Sequence, residues 1–203
     1  MDAGPGARQP TMFYIRRPRL FSKLIKVTKC LYISNEEAAR NKTLLRTHRI
    51  TCIINVCLDR PTGTPPVSEY LHFPVEDIAE APLCDYFDTI ADKIQEVGAS
   101  GGRTLVHCVA GISRSATVCL AYLMKHRRMS LLEAHARLKE RRPMIYPNIG
   151  FWRQLIDYEL ALFGKNTVHL MKSPVGIIPS IYEKQTKNMI GLHDGNAEDA
   201  MNI

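Results

Sequence analysis

The sequence predicts an α/β domain, with a central, mostly parallel twisted sheet of about five strands flanked by helices. Short apolar runs rich in β-branched residues alternate with stretches of helical periodicity. The run Ile50–Leu58 (ITCIINVCL) is too uniformly apolar for a half-exposed strand and reads as a central one. Ser115–His126 (SATVCLAYLMKH) is apolar nearly all round, which places a helix inside the molecule rather than on its surface.

Residues 1–25 start with Pro and Gly and turn basic at Arg16, Arg17, Arg19 and Lys23, the composition of a flexible arm. Cys30–Ser34 reads as a short strand and Asn35–Arg49 as a polar helical stretch with Leu44 and Leu45 for packing. Pro61, Gly63, Pro65 and Pro66 make Arg60–Ser68 a loop, and Tyr70–Val75 is the next strand. Glu76–Pro82 has loop character. Leu83–Val97 carries Phe87, Ile90, Ala91, Ile94 and Val97 at helical spacing, with Gly98 as its end. Gly101 and Gly102 turn the chain into a strand, Thr104–His107, that ends at Cys108. Past the buried helix, Ser130 caps a helix through Arg141 that Pro143 closes. Asn148–Phe163 is a last amphipathic helix, with Phe151, Trp152, Leu155, Ile156, Leu160 and Phe163 on its apolar positions. The domain is expected over 26–165, an extension packing on it over 166–185, and a disordered polar tail over 186–203.

At 203 residues the chain has room for one ordinary domain plus tails. No stretch approaches the roughly 20 uninterrupted apolar residues of a membrane-spanning helix, and MDAGPGARQP lacks the layout of a secretory signal. A cytoplasmic protein is expected, with the nucleus and peripheral association with mitochondria as open alternatives. Cys30, Cys52, Cys57, Cys84, Cys108 and Cys119 fit neither zinc spacing nor a secreted disulfide framework, and all but Cys108 read as reduced thiols acting as small hydrophobes. The net charge of +7 favours anionic partners. No basic-aromatic pattern for stacking bases is present, so nucleic acid is not expected as a partner.

The chemistry lies in His107-Cys108-Val109-Ala110-Gly111-Ile112-Ser113-Arg114-Ser115. Displacing a phosphoryl group needs a charged nucleophile, donors for the equatorial oxygens and a proton for the leaving oxygen. A strand ending at Cys108, followed by a Gly-containing turn into a helix, puts the sulfur at a helix N-terminus. There the amides of Val109, Ala110, Gly111, Ile112, Ser113 and Arg114 can converge on one anion and favour the thiolate. Arg114 offers a planar two-pronged donor, Gly111 lets the backbone curl, and Ser113 and Ser115 add hydroxyls. The acid is a carboxyl on a nearby loop, for which Glu76, Asp77, Glu80 and Asp85 are candidates; Asp85, at a helix start, is better explained as a cap. Sulfur and arginine suffice for this chemistry, so no cofactor and no metal is expected.

HCVAGISRS resembles the His-Cys-x5-Arg-Ser signature of protein tyrosine phosphatases, its Ala-Gly-x-Ser-Arg-Ser form resembles the dual-specificity branch, and the continuation FGKNTVHLMKSPVGIIPSIYEK resembles the small atypical members that lack a kinase-docking domain. The likeness spans about residues 26–165, and PNIGFWRQL resembles the family's downstream segment. The resemblance implies that Cys108 attacks phosphorus, that Arg114 and the loop amides bind the phosphoryl group, and that Ser115 stabilises the departing sulfur. It also implies that His107 orients the loop and favours the thiolate, that Asn148 supports the loop, and that Asp77 is the acid, from its place relative to Cys108 and Phe87. One departure stands out: Tyr146 occupies a position where close relatives carry Arg.

The expected activity is therefore hydrolysis of phosphotyrosine and phosphoserine/phosphothreonine in proteins of kinase signalling, MAP kinases included, through a cysteinyl-phosphate intermediate. A phosphoinositide or RNA 5′-phosphatase, or a phospho-binding scaffold, are the alternatives. The arm Arg16–Val27 (RRPRLFSKLIKV) is read as a solvated arm, with kinase docking or weak contact with an anionic membrane as the functional alternatives.

Overall fold

The structure is a computed structural model, and it describes residues 22–59 and 66–194. The chain opens with β1 (Ile25–Lys26), antiparallel to β2 (Leu31–Asn35). Two short helices follow, α1 (Glu36–Ala39) and α2 (Lys42–Thr47), where one longer helix was expected. The split has a local cause. Asn35 and Asn41 each cap a helix of their own, their Oδ1 atoms accepting from the amides of Ala38 and Leu44. Next come β3 (Cys52–Asn55), shorter than the apolar run that contains it, and β4 (Glu69–His72), which starts one residue before the predicted strand Tyr70–Val75 and stops three residues before its end.

A 3₁₀ turn, Leu83–Tyr86, leads into α3 (Phe87–Ala99), which runs one residue past Gly98. β5 (Thr104–Cys108) then enters the middle of the sheet, whose order is β1-β2-β5-β3-β4. β5 is parallel to both neighbours, with Asn35 opposite Cys108 on one side and Asn55 opposite His107 on the other. The predicted sheet is thus present: five strands, all parallel except β1.

Both faces of the sheet are covered. Leu31, Ile33, Ile54 and Val106 point into the main core, while Tyr32, Ile53 and Leu105, which alternate with them, point into a smaller core with Leu45 and Ile50. The main core is filled by α4 (Arg114–Arg127), buried at every position from Arg114 to Met124, as its all-round apolarity requires. Around it lie α3, α5 (Leu131–Arg141) and α6 (Ile149–Phe163). Ser130 caps α5 in a reciprocal capping box with Glu133, and Asn148 caps α6.

A hairpin of β6 (Leu170–Ser173) and β7 (Gly176–Pro179) follows, with Val168, Ile178 and Tyr182 buried in the main core. α7 (Glu183–Asp194) then occupies the first part of the segment read as a disordered tail, so helix replaces tail there. At the other end, Leu24 is buried against the domain, so the last residues of the arm pack on it. Arg16, Arg17 and Arg19, the loop residues 60–65 and the tail residues 195–203 lie outside the described residues. No described helix is long and apolar enough to cross a membrane.

Candidate active site

β5 delivers Cys108 to the carboxyl end of the sheet, and α4 begins six residues later at Arg114. Open α/β sheets bind ligands at this end. The intervening loop bends at Gly111, whose φ of +69° is unfavourable for any other residue, and a Cβ there would lie 2.6 Å from the Ser34 carbonyl oxygen.

Every carbonyl from Val109 to Ile112 has a donor outside the loop. Val109 O accepts from the Glu36 amide at 3.3 Å and Ile112 O from the Tyr146 amide at 2.9 Å. Between them, the buried guanidinium of Arg142 donates through Nη2 to Ala110 O at 3.1 Å and through Nε to Gly111 O at 2.7 Å. With the carbonyls fastened from behind, the amides face the other way. The Gly111 amide donates to Cys108 Sγ at 3.2 Å, and Ser115 Oγ lies 3.2 Å from the same sulfur. Cys108 is buried, with 1% of its surface exposed.

Arg114 is buried beside it. Its Nη1 donates to Val75 O at 2.9 Å, which fixes the plane of the guanidinium. Its Nε is buried, makes no hydrogen bond among the described residues and faces Asp77 Oδ2 at 3.5 Å, an ion-pair distance without hydrogen-bond geometry. An orphaned buried donor beside a thiol is a place for an anionic oxygen.

Asp77 sits on the loop Pro74–Pro82. Its Oδ1 accepts from Ser113 Oγ at 2.7 Å and from Asn148 Nδ2 at 3.1 Å. Oδ2 makes no hydrogen bond among the described residues and faces Arg114 Nε. Two expectations change here. Ser113 spends its hydroxyl on Asp77 rather than on a phosphate, while accepting the Asn148 amide at 3.2 Å. The Asn148 side chain holds Asp77, and its backbone amide reaches the loop at Ser113.

The start of α6 holds the whole acid loop. Gly150 approaches so closely that a Cβ would lie 1.8 Å from Ala79 O. Gln154 donates to Ala81 O and accepts from the Cys84 amide, both at 2.8 Å. The segment Asn148-Ile149-Gly150-Phe151-Trp152-Arg153-Gln154 thus acts as a clamp.

His107 lies in β5 next to Cys108. It is buried, and burial pushes its pKa down to about 4, so the ring is neutral at pH 7 and lends no positive charge to the thiolate. It contributes shape and, through its carbonyl, an anchor for the Val56 amide at 3.0 Å. Tyr146 does not line the cleft; its ring stacks on Tyr182, with centroids 5.2 Å apart.

Sequence reasoning missed Arg142, Gly150 and Gln154. Arg142 had a signal, since it continues the buried face Leu131, Ala134, His135, Leu138 of α5 at helical spacing. Gly150 had one as well, a glycine in the first turn of a capped helix, where close approach is its usual reason. Gln154 had none, because its partners lie on a loop far away in sequence.

A cleft of about 390 Å³ opens over this arrangement, with Arg114 and Asp77 in its wall. A thiol held by the Gly111 amide and the Ser115 hydroxyl, beside a fixed guanidinium and a carboxyl with one oxygen outside any hydrogen bond among the described residues, is equipped for sulfur to attack a tetrahedral oxyanion while what leaves receives a proton. Fold and site together are those of the cysteine-dependent phosphatases. The profile described as "Dual specificity phosphatase, catalytic domain" matches residues 31–161, and the chain belongs to that family.

The chain is 52% identical over 188 residues to dual specificity protein phosphatase 18 of Homo sapiens, across 93% of this chain and 98% of that protein. It is 47% identical over 178 residues to dual specificity protein phosphatase 14 of Bos taurus, across 85% and 90% of the two. Human DUSP28 superposes with a TM-score of 0.66 at 36% identity, over 68% of this chain and 94% of that one. A mouse putative dual specificity phosphatase complexed with zinc tungstate does so with a TM-score of 0.67 at 34% identity, over 80% and 96%.

Proposed function

We propose that this dual specificity protein phosphatase works through a cysteinyl-phosphate intermediate formed at Cys108. The observation that carries the proposal is the convergence of the Gly111 amide and Ser115 Oγ on Cys108 Sγ, each at 3.2 Å, beside the Arg114 Nε that no hydrogen bond occupies among the described residues. Both donors stabilise sulfur as an anion.

In the first step the phosphoryl group of the substrate lies in the loop, its oxygens on Arg114 and the amides from Val109 to Arg114. Cys108 sulfur forms a bond to phosphorus, the P–O bond to the side chain breaks, and Asp77 Oδ2 gives its proton to the departing oxygen. In the second, water attacks phosphorus, Asp77 takes the water's proton, the S–P bond breaks, and the Ser115 hydroxyl donates to the departing sulfur. His107 and Asn148 act as positioning residues.

Substrates are phosphoproteins of kinase signalling. A site that accepts both phosphotyrosine and phosphothreonine suits proteins that carry both, as activated MAP kinases do. The cytoplasm and nucleus supply the reducing conditions the nucleophile needs. A phosphoinositide or an RNA 5′ end would bring further negative charge onto Asp59 and Glu76, which line the same cleft. That disfavours the lipid and RNA readings.

The deciding experiment is turnover of phosphotyrosine and phosphothreonine peptides, phosphoinositides and triphosphate RNA by wild type and Cys108→Ser. Peptide turnover abolished by the substitution is expected. Full activity in Cys108→Ser would sink the mechanism, and peptide binding without turnover in the wild type would make the protein a scaffold.

A further inference from the structure

The catalytic cleft does not stand alone. A second groove of about 340 Å³ adjoins it, and the two share Leu58, Glu76 and Ile78 as a common wall. Glu80, Pro82 and Tyr86 contribute to the rest of the groove. Leu58 and Ile78 are each 47% exposed, although the domain buries most of its large apolar side chains. Apolar side chains left open at the rim of an active site mark where a partner lies.

Charge narrows the partner. The chain as a whole carries +7, yet Asp59, Glu76 and Glu80 are gathered around these two hollows. None of the three forms an ion pair among the described residues, whereas Glu36, also on the cleft, is held by Arg40. The Tyr86 ring packs on Phe73 with centroids 5.2 Å apart.

We infer that the groove walled by Leu58, Glu76, Ile78, Glu80, Pro82 and Tyr86 is a subsite for an arginine or lysine side chain that flanks the phosphorylated residue of the substrate protein. The methylene stem of such a residue lies on Leu58, Ile78 and Pro82, and its cationic head meets Glu76 and Glu80 beside the Tyr86 ring. A purely apolar occupant would strip water from carboxylates without pairing them, and an acidic one would be repelled. Continuity with the catalytic cleft puts the occupant next to the phospho-residue. The inference rests on the protein-phosphatase reading and adds a substrate preference to it.

The test is kcat/KM on matched phosphotyrosine peptides in which Arg, Ala or Glu is scanned through each flanking position. Wild type is compared with Glu80→Gln and with Glu76→Gln combined with Glu80→Gln. The readout is the ratio between peptides on the same enzyme, so a general loss of activity in a variant cancels. Arg is expected to exceed Glu about tenfold at one flanking position. The ratio should fall to about twofold or less in the double variant and should shrink with added salt. Glu80→Lys should invert it. A wild-type ratio near unity at every position overturns the subsite, as does a ratio that the double variant leaves unchanged. Turnover of phosphoinositides with none of the peptides hydrolysed would instead overturn the protein-phosphatase reading.

Discussion

Arg142 grips Gly111 from behind, Nε to carbonyl oxygen at 2.7 Å, and the same guanidinium reaches Ala110 O. The loop that faces the substrate is therefore shaped by a residue that never meets it. Arg142→Leu should lower kcat/KM about 100-fold by letting the amides turn away, and should cost about 3 kcal/mol of stability. Arg142→Lys, which can keep one of the bonds, should fall between. Kinetics and thermal melts of both variants check this, and wild-type turnover in Arg142→Leu would show that the loop holds itself.

Asp77 Oδ1 is engaged by Ser113 and Asn148, which leaves Oδ2 as the oxygen that transfers the proton in the proposed mechanism. Asp77→Asn should reduce kcat on phosphotyrosine peptides by about 10²–10³ and far less on aryl phosphates with acidic leaving groups. Asn148→Ala should show the same leaving-group dependence in weaker form, about tenfold. An equal loss on both substrate types would mean that Asn148 acts on phosphate binding instead.

Gly150 separates the acid loop from the phosphate loop experimentally. A Cβ 1.8 Å from Ala79 O must push residues 77–80 away from α6, while the phosphate loop rests on other contacts. Gly150→Ala should lower kcat on peptides by about 10–100-fold and leave the inhibition constant of inorganic tungstate within about twofold. A matched loss in both would point to a general collapse of α6.

Ser115 faces the sulfur at 3.2 Å and, in the proposed mechanism, donates to it as it departs. Ser115→Ala should form the intermediate and release it slowly, giving a burst of dephosphorylated product before a slower steady state. Mass spectrometry after acid quenching should find added phosphate on Cys108. Absence of both signs would assign Ser115 to the fold alone.

Two buried histidines tie stability to pH. Burial pushes His107 and His135 down to about 4 from the ordinary 6.5. The unfolded chain thus binds more protons between those values, and stability rises with pH across that window. The contribution is present above about pH 6.5 and lost as pH falls toward 4, by up to about 3 kcal/mol for each histidine. Urea midpoints at pH 7 and pH 5 should differ, and His135→Gln should narrow the difference. A difference unchanged in His135→Gln would place the effect elsewhere.

The strands and helices that carry the site were legible because their burial is written in composition. Ser115–His126 has no polar face, so it had to be interior, and a strand leading to Cys108 had to be central. The two-residue β1 was not legible, since Ile25–Lys26 becomes a strand only by pairing with Tyr32 and Ile33. Nor was the break between α1 and α2, where Asn41 competes with helix continuation by capping. At the site, the line from Cys108 to Ser115 was legible because it is contiguous. The partners of Asp77 were not, because Ser113 and Asn148 lie on separate elements and only folding decides what their polar groups face. Nor was the charge state of His107 legible, because it is burial in the folded domain that makes the ring neutral.

The phosphate loop is held by the protein itself, with each carbonyl from Val109 to Ile112 taken by a protein donor. A cradle that needs no ordering to accept phosphate does not distinguish the phosphoryl group of a substrate from the free ion it has just released. Inorganic phosphate should therefore compete with substrate for the same loop.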